Sequence, residues 1–152
     1  MKSGDLVKKE LFTNYFDINI FTNHKKLFCF YNNYNDDIEE MIVLLKSNQV
    51  LLDNLKIKVF FINFDSLIFN DSLKKDFKSN FYFLSDDKVE IAKEFNLITY
   101  RDVYLKRKIA YLKTAIYLVD ENDIVTNFWL DDNDSYHLEE IIIYLKKCLM
   151  KG

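Results

Sequence analysis

Proline is absent from this 152-residue chain, and glycine occurs only as Gly4 and Gly152. Without proline there is no cis-prolyl turn. Without internal glycine, every tight turn is expected to use Asn or Asp in the left-handed region. Cysteine is limited to Cys29 and Cys148, with no CxxC pair. His24 and His137 are the only histidines, so a Cys/His zinc centre has too few ligands. No apolar run approaches the ~20 residues of a membrane helix. The start, MKSGDLVKKE, carries no hydrophobic signal core, so a cytoplasmic location is expected. Basic charge is short as well: the net charge of −3 offers no footprint for nucleic acid. Lys25-Lys26, Lys106 to Lys108 and Lys146-Lys147 are short, separate stretches that read as solvated surface.

What is present is apolar and aromatic. Hydrophobic residues make up 49% and aromatics 16%, nearly all Phe and Tyr, with Trp129 alone for tryptophan. That content argues against disorder, and a chain of this size is large enough to bury ~70% of its unfolded surface in a single core. No repeat, linker or low-complexity stretch interrupts it, so one domain over residues 1–152 is expected.

After an irregular lead with a short hairpin around Leu11 to Phe21, the run Leu27 to Tyr31 suits a strand buried on both faces. Asp36 offers a helix N-cap, and Ile38, Met41, Ile42, Leu45 and Leu52 mark one buried helical face. Ile57 to Phe64 reads as a second buried strand. A turn at Asp65-Ser66 leads to a short helix, Asp71 to Ser79, with Leu73 and Phe77 inward. Phe81 to Leu84 is a third strand, and Ser85-Asp86-Asp87 caps a helix from Lys88 to Phe95. The connection Arg101 to Lys113 has no clear pattern. Ala115 to Val119 and Ile124 to Leu130 form a hairpin in which Asn122 takes positive φ. A final helix, Ser135 to Met150, turns Leu138, Ile141, Ile142, Leu145 and Leu149 inward. Helices alternating with buried strands, closed by a hairpin, give an α/β fold with a mixed sheet covered on both faces.

Four segments carry a family likeness: FYNNYNDDIEEM at a strand-to-helix turn, INFDS at a strand end, FYFLSDDKVEIAKEFNL, and TAIYLVDENDIVTNFW. In order and spacing they resemble a peroxiredoxin of the AhpC/TSA family, nearest the bacterioferritin-comigratory (PrxQ-like) branch, over Lys25 to Leu149. The resemblance implies a thioredoxin-like fold and antioxidant oxidoreductase chemistry without a cofactor. It also implies dimerisation near the active-site loop, for which Tyr31, Tyr34 and the tyrosines of 100 to 111 are candidate anchors.

The family's functional residues do not carry over. An ungapped match to FYP-x-x-x-T-x-x-C puts Asn32 at the proline, Asp36 at the threonine and Glu39 at the peroxidatic cysteine. Thr114, beside Lys113, stands at the family's arginine. A peroxide-reducing thiolate needs a helix N-terminus and a nearby cation. Asp36, Asp37, Glu39 and Glu40 stabilise the helix by ~0.3–1 kcal/mol each and would raise a neighbouring thiol's pKa. No catalytic residue, cofactor or metal is therefore expected. The expected function is a non-catalytic binding or structural homologue, a homodimer or a subunit of something larger. The alternative is a thiol-dependent peroxidase working through Cys29 or an atypical site. The acidic triplet Asp131, Asp132 and Asp134 lacks calcium-loop spacing, and His137 has no evident nucleophile to serve.

Overall fold

In a run of six residues, Lys25–Phe30, every side chain after the first is buried. Such two-sided burial requires cover above and below a central strand, and this segment is β1. The structure is a computed structural model that describes residues 1–21, 23–103, 107–130 and 138–151. β1 lies between β2 (Ile57–Asn63), which runs parallel to it, and β6 (Ala115–Val119), which runs antiparallel. β3 (Tyr82–Ser85) pairs parallel with β2, and β7 (Val125–Leu130) pairs antiparallel with β6. The central sheet therefore has the order β3-β2-β1-β6-β7.

Alternation along β1 divides the core into two halves. Leu27, Cys29 and Tyr31 face one side, together with Ile38, Met41, Ile42 and Leu45 of α1 (Asp36–Ser47). Leu52 of α2 (Gln49–Asn54) and Leu138, Ile141, Ile142 and Leu145 of α5 (Leu138–Lys151) complete that half. Phe28 and Phe30 face the other side, against Ile91 and Ala92 of α4 (Glu90–Glu94), Phe95 and the N-terminal segment. Rings stack closely there: Phe12 lies 5.3 Å from Phe28, and Phe30 lies 4.8 Å from Phe95. Each such pair adds ~0.5–1.5 kcal/mol beyond its buried area.

Several expectations are corrected. The segment Leu11 to Phe21 is not a hairpin but part of two 3₁₀ turns, Lys9–Phe12 and Ile18–Phe21. Those turns gather Phe12, Phe16 and Phe21 onto one aromatic cluster, which an extended hairpin would split between two faces. The first helical face is interrupted at Asn48, whose side chain donates to the Leu44 carbonyl, dividing it into α1 and α2. The next helix, α3, begins four residues early, at Leu67–Phe77, because Ser66 caps it. The Arg101 to Lys113 connection holds a hairpin, with β4 (Ile98–Val103) antiparallel to β5 (Arg107–Leu112).

At α4 the helix is only Glu90–Glu94, although Asp86 does bond its start through the Ile91 and Ala92 N–H groups. In the β6–β7 turn Asp123, not Asn122, takes positive φ. Lys26 is not solvated surface: it is fully buried, its Nζ 2.5 Å from Asp123 Oδ1 and 3.2 Å from the Asp120 carbonyl. A buried ammonium needs such partners, and this pairing holds Asp123 at its turn position. Asn23, Asn96 and Asp123 follow the expected left-handed usage, but Lys56, Lys78 and Val89 share it. Lys78 ends α3 where glycine would ordinarily stand. Val89, being β-branched, is the costliest exception. Leu149 is 41% exposed and does not join the core. Asp131, Asp132, Asp134, Ser135 and His137 lie outside the described residues.

Candidate functional site

β1 and β2 end side by side, and each hands the chain to a helix. After β1, Asn35 takes extended backbone (φ −153°), and its Oδ1 accepts from the Ile38 N–H at 2.9 Å. Asn35, and not Asp36, is therefore the N-cap. Asp36 becomes the first helical residue, where its carboxylate still favours the helix start. Glu39 lies one turn on, its N–H bonded to the Asn35 carbonyl at 3.0 Å. Both carboxylates are exposed.

Asn32 is half-buried and fastens three segments. Its Oδ1 accepts from the Leu112 N–H at 3.1 Å, and its carbonyl accepts from the Phe64 N–H at 3.2 Å. The pairing of Phe30 with Ala115 brings half-buried Thr114 to the same end of the sheet, opposite the residues that follow β1. Among the described residues, no hydrogen bond or ion pair joins Asp36 or Glu39 to Thr114 or Lys113. The fold thus brings the four positions to one end of the sheet without assembling a catalytic contact among them.

Beneath this surface lies a buried polar network that sequence reasoning missed. Asn63 Nδ2 donates to the Tyr31 hydroxyl at 2.8 Å and to Asn70 Oδ1 at 2.9 Å. Asn63 Oδ1 accepts from Asn70 Nδ2 at 2.8 Å and from the Asp65 N–H at 3.1 Å. Asn70 also reaches Ser85 Oγ at 2.7 Å, and that hydroxyl donates to the Asp65 carbonyl at 2.6 Å. The bond from the Asp65 N–H fixes which end of the Asn63 amide is oxygen. Asn63 and Asn70 are fully buried, so every one of these bonds offsets a desolvation cost. The signal was available: an asparagine closing the apolar run IKVFFIN breaks the strand's own pattern.

Above the network, Asp65 Oδ2 accepts from the Tyr34 N–H at 3.2 Å and ties the two junctions together. Burial raises the Asp65 carboxyl above its ordinary pKa, and the Tyr34 N–H opposes that rise. The Tyr34 phenol is raised by burial and then by Glu39, Asp36 and Asp76. Tyr31 is raised by burial and next by Asp65, against the Asn63 hydrogen bond.

The thiols lie elsewhere. Cys29 sits mid-strand between Phe61 and Ile116, without exposure, and burial pushes its thiol far up. Cys148 is half-buried on α5. Among the described residues, no group of three or more His, Cys, Asp or Glu is arranged to hold a metal. Nor is any helix among them long and apolar enough to cross a membrane. What the junction offers chemically is a set of exposed carboxylates, half-buried Tyr34 and the neutral polar surface of Asn32 and Thr114.

Sheet order, crossovers and helical cover define a mixed α/β domain of the thioredoxin-like class. No family model matches the sequence, and no curated protein matches it. Among solved structures the chain is similar to the peroxidoxin BcpB of Mycobacterium tuberculosis, with a TM-score of 0.77 and 12% identity over 99% of this chain and 97% of that one. It is also similar to PrxQ of Xylella fastidiosa, with a TM-score of 0.75 and 20% identity over 97% of each chain. AhpC of Mycobacterium tuberculosis has a TM-score of 0.75 and 12% identity over 100% of this chain and 95% of that one. The fold is therefore the peroxiredoxin type of thioredoxin-like domain, and at these identities the fold is what is shared.

Proposed function

We propose that this chain is a single-domain, cytoplasmic, peroxiredoxin-like protein that has lost the peroxidatic cysteine and acts by binding, as a homodimer or a subunit of a larger assembly. The observation that carries this reading is the β1–α1 junction: Glu39 stands there among three further carboxylates, while Cys29 is sealed inside the sheet. A thiolate in that junction would face like charge where the reaction needs a cation. Thr114 in place of arginine removes the second requirement, since threonine brings neither charge nor a bidentate fork.

Alkylation of the native protein by iodoacetamide, with and without prior peroxide, tests the reading. Cys29 is expected to react only on unfolding and to survive peroxide. A Cys29 that is alkylated rapidly in the native state and lost to peroxide would establish a thiol peroxidase instead.

A further inference from the structure

The first turn of α3 exposes three large apolar residues in succession: Leu67 is 65% exposed, Ile68 83% and Phe69 38%. The residues of α3 that are buried are Asn70 and Leu73, so the helix turns its polar Asn70 inward and its apolar start outward. That inversion leaves apolar surface in water at ~25 cal/mol per Å². Contiguous exposed apolar surface of this kind marks an interaction site.

Two tyrosines flank the ridge, each in the field of three carboxylates. On one side Phe69 packs edge-on against Tyr34, with ring centroids 5.7 Å apart. The phenol there feels Glu39, Asp36 and Asp76. On the other side Leu67 borders a cavity of about 420 Å³ whose wall includes Tyr15, Phe83, Asp87 and Glu90. Burial, then Asp86, Asp87 and Glu90, push the Tyr15 phenol up to about 12. Among the described residues, Lys88 is the one cation lining that cavity. An apolar ridge beside a side-chain-sized hole, with acid on both flanks, complements a partner carrying an apolar anchor among basic residues.

We infer that the first turn of α3, with Tyr34 and the Tyr15 cavity, docks a basic, apolar segment of another protein. The segment seats an apolar side chain in the cavity beside Leu67 and sets Lys or Arg against Asp87 and Glu90 on one flank and Asp36 and Glu39 on the other. This rests on the proposed binding role and names its surface and the chemistry of its partner. A second copy of the chain fits the ridge poorly. An isologous contact sets the same patch against itself, and so brings acidic flank against acidic flank.

The probe is a fluorescein-labelled amphipathic Lys/Leu peptide, compared by anisotropy with a Glu/Leu peptide of matched length. The Lys/Leu peptide should bind more tightly, and Ile68→Asp should weaken it by about tenfold. Glu90→Lys should weaken it further and reduce its salt dependence. Val50→Asp, a change at another exposed apolar residue of α2, should leave it unchanged. Near-UV circular dichroism should be the same in all variants, since Ile68 and Val50 lie outside the core. Equal binding of the two peptides, or binding indifferent to Ile68→Asp, overturns the inference. So does an Ile68→Asp variant that turns a dimer into a monomer by sedimentation, which would make a second copy the occupant. Cys29 alkylation does not depend on Ile68, so loss of the docking surface and loss of the non-catalytic reading are separable.

Discussion

The two strand-to-helix junctions use the same backbone device and bury opposite chemistry. In the first, Asn35 caps α1 and its carbonyl takes the Glu39 N–H at 3.0 Å; in the second, Ser66 caps α3 and its carbonyl takes the Asn70 N–H at 3.0 Å. Glu39 and Asn70 are therefore equivalent positions, four residues past a cap. Glu39 is exposed beneath a helix whose apolar face is inside, whereas Asn70 is fully buried beneath a helix whose apolar start is outside. Helix geometry is satisfied equally by either arrangement, so the difference reflects what each junction meets. Acid at α1 meets water, and the apolar turn at α3 leaves Leu67, Ile68 and Phe69 exposed, with Tyr34 packed against Phe69.

The largest expected difference is in stability. Asn63→Ala removes four hydrogen bonds, strands Asn70 and Tyr31 in the interior and leaves the half-buried Asp65 N–H without its side-chain partner. A loss of ~3 kcal/mol is expected in urea unfolding. Glu39→Ala, at the solvated junction, should stay within ~0.5 kcal/mol. Equal losses would mean that the network carries no more of the fold than the acidic surface does.

The caps come next. Asn35→Ala and Ser66→Ala each remove one side-chain bond to a helix N–H, at 2.9 and 3.1 Å. Each should cost ~1 kcal/mol. A near-zero value at only one cap would break the equivalence of the two junctions.

Introducing a thiol probes the acidic junction directly. In Glu39→Cys, with Asp36, Asp37 and Glu40 retained, the new thiol should titrate above the ordinary ~8.5 in the pH dependence of its alkylation. Neutralising Asp36 and Asp37 to Asn should lower that value by up to roughly one unit. A thiol that is already acidic in the single variant would count against lost chemistry at this position.

How far the sequence could be read followed the strength of each local pattern. β1, β2, β6 and α5 were legible because apolar runs and a 3.6-residue period leave few alternatives. α3 started four residues earlier than expected because Ser66 caps it, and the exposed Leu67, Ile68 and Phe69 do not follow the buried-face period that marks a helix. The β4–β5 hairpin was illegible, since Arg107, Lys108 and Ile109 are exposed and carry no alternation. At the site, Asn32, Asp36, Glu39 and Thr114 were singled out by motif order alone, and the fold sets them at one end of the sheet. The Asn63–Asn70 pairing did not, because nothing local links an asparagine ending a strand to one inside the next helix. Lys26 failed for the same reason: its partner Asp123 is distant in the chain, and only the fold brings them together.

The smallest expected effect lies in the one bond between the junctions, from the Tyr34 N–H to Asp65. Burial raises the Asp65 pKa above its ordinary value near ~4. A carboxyl whose folded pKa exceeds its unfolded one binds more protons when folded. Its contribution to stability is thus greatest below the unfolded pKa and is lost as pH rises through the folded value. Asp65→Asn keeps an oxygen for the Tyr34 N–H and removes the titration. Unfolding midpoints measured from about pH 4 upward should therefore fall in the native protein relative to Asp65→Asn and then run parallel. Asp65 is half-buried and solvent screens part of the effect, so a small fall is expected. Curves parallel throughout would mean that the carboxylate ties the junctions no more strongly than a neutral amide. A rise in place of the fall would mean that the Tyr34 N–H outweighs burial, and that the first junction holds the second in its charged form.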